Sequence, residues 1–194
     1  VKEWCLTVVT AYDFPQIYER VGMRLGHFGC IMLEVEPVPV SEILGAGPEW
    51  FYYSTNDMLR YVKGPVAENG GHATLLYGLT PGDNAGADQR ESVDELLDGL
   101  DLSHVVVDHV DYFPAQFGEP YACVVGKLAT DGDLGEANRR LRFLPHIDTF
   151  VEYKPHVTFA YVHLDQVDAA VSALGVLAGA RLAGAGINYG GSIR

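Results

Sequence analysis

A short pattern, His-x-Thr-x-x-Tyr, occurs twice in this chain: at His72-Ala73-Thr74-Leu75-Leu76-Tyr77 and at His156-Val157-Thr158-Phe159-Ala160-Tyr161. Two such matches would arise in roughly one shuffled sequence in ten thousand of this composition. Repetition at so wide a separation points to two related halves, not to a solenoid of many short units. Both copies lie in apolar, β-branched surroundings and read as strands. Residues two apart on a strand share a face, so His72 pairs with Thr74 and His156 with Thr158. On strict alternation Ala73, Leu75 and Tyr77 point the other way, into packing, and Tyr161 is likewise expected in the core.

An imidazole beside a hydroxyl is a pair that a strand does not present to an apolar core without reason. A lone strand histidine is more often structural than catalytic; doubling of the motif reverses that reading. Two pairs facing one cleft supply two proton-transfer groups and two hydroxyl donors. One imidazole can take a proton from an attacking oxygen while the other gives one to a leaving oxygen. The hydroxyls of Thr74 and Thr158 can hold the non-bridging oxygens of a phosphate. No cofactor and no metal is called for. Of the other histidines, His104 and His109 lie five apart on an expected strand and so face opposite sides, unless a bulge intervenes, and are not expected to share a metal.

The segments GHATLLYGL and KPHVTFAYV resemble the two signature strands of the 2H phosphoesterase superfamily. That family includes 2′-5′ RNA ligase-like proteins, 2′,3′-cyclic nucleotide phosphodiesterases, viral enzymes that degrade 2′-5′ oligoadenylates, and phage enzymes that degrade cyclic-oligonucleotide immune signals. The resemblance covers residues from about Ile31 to the C-terminus. It implies an α+β fold: a two-lobed bowl of two pseudo-symmetric, mostly antiparallel sheets with flanking helices and a central cleft. It implies His72, Thr74, His156 and Thr158 as the catalytic residues. The chain departs from members that carry an arginine after the second motif, having Tyr161-Val162 there.

The rest of the chain fits around these strands. The run 31–40 is expected to begin as a strand whose end is demoted to an edge or an exit by its two prolines; further strands are expected over 104–113, 121–129 and around Ile187, with 104–113 and 121–129 as a hairpin. Helical spacing marks 88–100, where Val93, Leu96, Leu97 and Leu100 share a face, and also 132–144 and 164–174. Residues 1–29 read as a β-α extension, a strand over 5–12 followed by a helix opening at Phe14-Pro15, outside the catalytic-type domain of 30–194. A short helix is expected over 56–62 and a turn at Asn69-Gly70-Gly71. That turn is no Walker loop, since no Gly-Lys-Ser/Thr follows. The mixed order of strands and helices favours α+β over a doubly wound sheet.

Charge and composition narrow the partner. The chain has 26 acidic against 13 basic residues, a net charge of −13, and this argues against a protein that grips long nucleic acid by its phosphates. A small nucleotide or short oligonucleotide in a locally basic cleft is compatible. Lys154, two residues before His156, is a candidate phosphate ligand. Trp50, Tyr52 and Tyr53, in a dense aromatic run, are candidates for stacking on a base. The arginines at 139, 140 and 142 are weaker candidates. No apolar run approaches the ~20 residues of a membrane helix. The odd set Cys5, Cys30 and Cys123 reads as reduced thiols, the expectation being a cytoplasmic protein. The chain opens on Val1 without an initiator Met, as a processed chain or one cut from a longer polypeptide would.

The reading is of an enzyme, a metal-independent phosphodiesterase cleaving a cyclic dinucleotide or a short 2′-5′ or 3′-5′ oligonucleotide signal. The alternatives are an RNA-end processing enzyme acting on 2′,3′-cyclic phosphates, or a non-catalytic nucleotide-binding domain of a larger protein.

Overall fold

Strict alternation of buried and half-buried residues marks Gly29–Val35 as a strand, β1. It is seen in a computed structural model that describes residues 28–45, 51–52, 62–63, 71–82, 84–115, 121–148, 150 and 152–190. The strand expected over 31–40 stops at Val35, because Pro37 and Pro39 offer no N–H to a ladder. The chain turns instead into a short helix, α1 (Val40–Leu44). Two brief strands follow, β2 (Phe51–Tyr52) and β3 (Val62–Lys63), paired with each other. Next come β4 (Gly71–Leu79), α2 (Ala85–Asp88), α3 (Arg90–Leu97), β5 (His104–Phe113), β6 (Tyr121–Leu128), α4 (Asp133–Leu141), β7 (His156–His163), α5 (Val167–Leu174) and β8 (Arg181–Asn188). The extension expected over 1–29 lies outside the described residues up to position 27. The helix expected over 56–62, apart from Val62, and Asn69-Gly70 of the expected turn also lie outside them.

Six strands form one antiparallel sheet in the order β1-β4-β7-β6-β5-β8, closed into a ring because β8 pairs with both β5 and β1. The same local arrangement appears twice. Motif strand β4 pairs with β1, which pairs with β8; motif strand β7 pairs with β6, which pairs with β5. These two three-stranded halves meet along two seams. One is the run His104↔Ala183 to Val106↔Arg181; the other is the single pair Ala73↔Val157. The architecture is α+β, an antiparallel sheet with flanking helices, as expected.

Helices cover one face of the ring. Leu134, Ala137 and Leu141 of α4, Val167, Ala170 and Leu174 of α5, and Val93 and Leu97 of α3 fall at helical spacing. They are buried with Leu33, Leu75, Val107, Val124 and Val157 in one core. Each such Val or Leu removed from water contributes about 1.5–3 kcal/mol before entropy is counted. The helix expected over 88–100 ends at Leu97, where Gly99 takes a positive φ of 75°. Arg140 of α4 joins the two helices: its guanidinium donates to the carbonyls of Leu96 (3.2 Å) and Asp98 (3.0 Å) while paired with Glu136. No helix among the described residues is long and apolar enough to cross a membrane.

One placement differs from the sequence reading of the histidines. β5 has a register shift between Val107 and His109, which leaves Asp108 as an extra residue. The bulge puts His104 and His109 on the same side of the sheet instead of opposite sides. They are engaged separately, His104 with the Ser103 hydroxyl (2.9 Å) and His109 with the Asp108 carboxylate (2.7 Å).

Candidate active site

The seam Ala73↔Val157 brings the two motifs together. Ala73 and Val157 are buried at 0% and 1% exposure, on the helix-covered face. Their neighbours point to the opposite face, and all four are half-buried: His72 and Thr74 on β4, His156 and Thr158 on β7. In an antiparallel pair centred on Ala73 and Val157, His72 comes opposite Thr158, and Thr74 opposite His156. Directly opposed Cβ atoms lie about 5 Å apart and diagonal ones about 7–8 Å. The two histidines occupy a diagonal, close enough for the charge of His72 to be felt at His156.

Both motif strands bulge at the same place. Met32 pairs with Thr74 but Ile31 with Leu76, so Leu75 is extra; Val125 pairs with Thr158 but Val124 with Ala160, so Phe159 is extra. Each bulge buries two consecutive residues and turns the following tyrosine over to the His-Thr face. Tyr77, expected in the core, is 39% exposed. Tyr161, also expected in the core, is half-buried, with its ring against Tyr121 (5.6 Å between centroids). Three residues of each motif thus share one face, although alternation predicts two. The bulge carbonyl of Leu75 accepts a hydrogen bond from the buried Asn138 amide (2.6 Å).

The strands beside the motifs add groups that sequence reading missed. Glu34 of β1 is the register partner of His72, and Lys127 of β6 that of His156. The sequence signal was weak: Glu34 is one of two acids in the apolar run 31–40, and Lys127 is the single charge in the run 121–129. Lys127 sits with its ammonium 3.8 Å from the centre of the Phe113 ring, which packs T-shaped against His156 with 4.8 Å between ring centroids. His156 Nδ1–H donates to the Lys154 carbonyl (3.1 Å), which leaves Nε2 to carry the lone pair of the neutral ring. The Thr158 hydroxyl lies 3.6 Å from Cys123 Sγ, and Tyr153 O–H donates to the Thr74 carbonyl (3.0 Å). Cys30 and Cys123 are free thiols.

Burial holds both imidazoles below the ordinary value of 6.5. For His72 the Glu34 carboxylate opposes that shift. For His156 the Lys154 carbonyl opposes it, while Lys127 and His72 add to it. Lys127 is itself lowered, first by burial. Burial pushes the Cys123 thiol and the Tyr153 phenol up.

A cleft of about 400 Å³ opens beside Thr74 and His156, walled by Tyr77, Phe113, Phe150 and Arg142 among others. Lys154 reaches this cleft but is mostly exposed and paired with Glu152 (3.1 Å); Arg142 is paired with Asp148 (2.7 Å). Arg139 and Arg140 are bound to Glu136. Trp50 and Tyr53 lie outside the described residues. Of Tyr52 only the backbone is described, in β2, which runs beside β7. No three His, Cys, Asp or Glu side chains among the described residues come together as a metal-ligand set.

No family model and no curated protein matches the chain. Among solved structures it is similar to Kluyveromyces marxianus Usb1 with uridine monophosphate, at 10% identity and a TM-score of 0.45, over 79% of this chain and 85% of that one. A second structure of Kluyveromyces marxianus Usb1 is similar at 9% identity and a TM-score of 0.46, over 80% and 85%.

Proposed function

We propose that this chain is a two-histidine phosphodiesterase of the 2H type acting on a small nucleotide. The observation that carries the reading is the single register pair Ala73↔Val157, which sets His72, Thr74, His156 and Thr158 on one face of adjoining strands. Two imidazoles at this separation can serve the two ends of an in-line displacement at phosphorus. One removes the proton of an attacking ribose hydroxyl or water. The other protonates the departing oxygen, and each transfer is worth ~10²–10⁴ in rate. The Thr74 and Thr158 hydroxyls bind the non-bridging oxygens, whose charge grows in the transition state. Substrate binding is assigned to Lys154, Trp50, Tyr52 and Tyr53. No step draws on a cofactor or a metal.

The substrate class is a cyclic dinucleotide or a short 2′-5′ or 3′-5′ oligonucleotide. A net charge of −13 disfavours a long phosphate backbone, and the aromatic cleft beside His156 has room for a compact ligand. The reading is of a cytoplasmic protein, on the ground that Cys5, Cys30 and Cys123 read as reduced thiols.

The test is incubation with cyclic dinucleotides, linear 2′-5′ and 3′-5′ dinucleotides and nucleoside 2′,3′-cyclic phosphates, in excess chelator, with products identified by mass. The wild type is expected to release product from at least one dinucleotide, and His72→Ala/His156→Ala to release none while keeping its fold. Turnover of the 2′,3′-cyclic phosphates alone would move the assignment to RNA-end processing. Nucleotide binding without turnover of any member would leave a binding domain.

A further inference from the structure

The two halves of the ring repeat their strands but not their charges. At the position facing the first histidine stands an acid, Glu34; at the matching position facing the second stands a base, Lys127. We propose that this difference fixes the roles of the two imidazoles: His156 is the general base and His72, held beside Glu34, is the general acid. The inference rests on the phosphodiesterase reading and adds the direction in which protons move.

Both neighbours are built into the fold. Asn188 accepts from the Gly190 N–H at Oδ1 (2.9 Å), so its Nδ2 is the end that donates to Glu34 Oε1 (2.6 Å). Glu34 thus sets a negative charge across the ladder from His72, which opposes the lowering of that imidazole by burial. Lys127 is held over Phe113, between β5 and β7. Its positive charge favours the neutral ring of His156, and the Lys154 carbonyl fixes the tautomer whose Nε2 accepts a proton. The other ionisable groups on this side are Cys30 on β1, Tyr77 on β4, Cys123 and Tyr121 on β6, Asp111 and His109 on β5, Tyr161 and His163 on β7, Glu152, Tyr153 and Lys154 before it, and Arg142 and Asp148 in the cleft wall. Asp111 acts on Lys127, and Glu152 is paired with Lys154. Oppositely biased neighbours that separate two titratable groups mark out an acid and a base.

The step balances. His156 Nε2 takes the hydroxyl proton as the new P–O bond forms; the old P–O bond breaks, and its oxygen leaves with the proton of the His72 imidazolium. His156 ends protonated and His72 neutral, and exchange with water restores both.

Two measurements test the assignment. In NMR titration of the full chain, His72 is expected to titrate at higher pH than His156. Glu34→Gln should lower His72, and Lys127→Met should raise His156. A reversed order, or Glu34→Gln that leaves His72 unmoved, overturns the proposal. The second measurement compares a ribonucleoside 3′-(4-nitrophenyl) phosphate, whose leaving group needs no proton, with a dinucleotide. His72→Ala should lose about 10²-fold or more on the dinucleotide but less than about 10-fold on the nitrophenyl ester, whereas His156→Ala should lose about 10²-fold or more on both. Rescue at His156, or at neither position, overturns the assignment while leaving a phosphodiesterase. Wild type that cleaves neither ester overturns the underlying activity as well.

Discussion

Leu75 and Phe159 hold the same place in two strands: each is the extra, buried residue of a bulge, three positions after a histidine. Because of that insertion each strand presents His, Thr and Tyr together on one face.

Gly126 tests this directly. A Cβ built there would lie 2.5 Å from Phe159 Cζ and 2.7 Å from Cε2, with Val107 Cγ1 at 3.4 Å behind. Gly126→Ala must therefore move Phe159, and overpacking of this kind costs about 1–3 kcal/mol. Urea unfolding should show that loss, and turnover should fall with it. Gly132→Ala, where a Cβ meets nothing within 4 Å, should leave both close to wild type.

Asn138 is a buried side chain, 8% exposed, that donates to the Leu75 carbonyl at 2.6 Å. In Asn138→Leu that carbonyl loses its partner inside the protein, at a cost of about 1–3 kcal/mol. Chemical denaturation should report the loss. An Asn138→Leu protein as stable as wild type would show that the bulge does not depend on this bond.

Replacing Thr74 or Thr158 by valine keeps the shape of a half-buried strand residue and removes one hydroxyl. Loss of a single donor to a transition-state oxygen is typically worth ~10²–10³ in kcat. Each variant should fold normally, give a loss of about that size, and recover most activity as the Ser variant. Unchanged kcat in both valine variants would remove the threonines from the chemistry.

Stability should depend on pH with a definite sign. Burial is the largest cause lowering His72 and His156, so the unfolded chain binds more protons than the folded one as pH falls through 6.5. Their contribution is present in full above that value and is lost as pH drops toward the folded-state values. Tm should decline below pH 6.5, and the decline should be shallower in His72→Ala/His156→Ala. Parallel curves for the two proteins would contradict the burial of these rings.

Much of the site was legible because a strand couples residues two apart, so the doubled His-x-Thr announced its own shared face. Tyr77 and Tyr161 were misread for the same reason: alternation holds only in an unbroken ladder, and each bulge shifts it by one. His104 and His109 failed in the same way at Asp108. Glu34 and Lys127 were not legible, since the residue across a ladder is set by register, which depends on which strands pair and where they slip. β5 matched the apolar run it came from, and β1 stopped ahead of the two prolines expected to close it, since a proline has no N–H to give the ladder.

β8 closes the ring by pairing with β1 on one flank and β5 on the other. A chain cut before Arg181 would lose more than a terminal appendage. It would bare unpaired amides and carbonyls along both neighbours at once, opening two templates for cross-strand association between molecules.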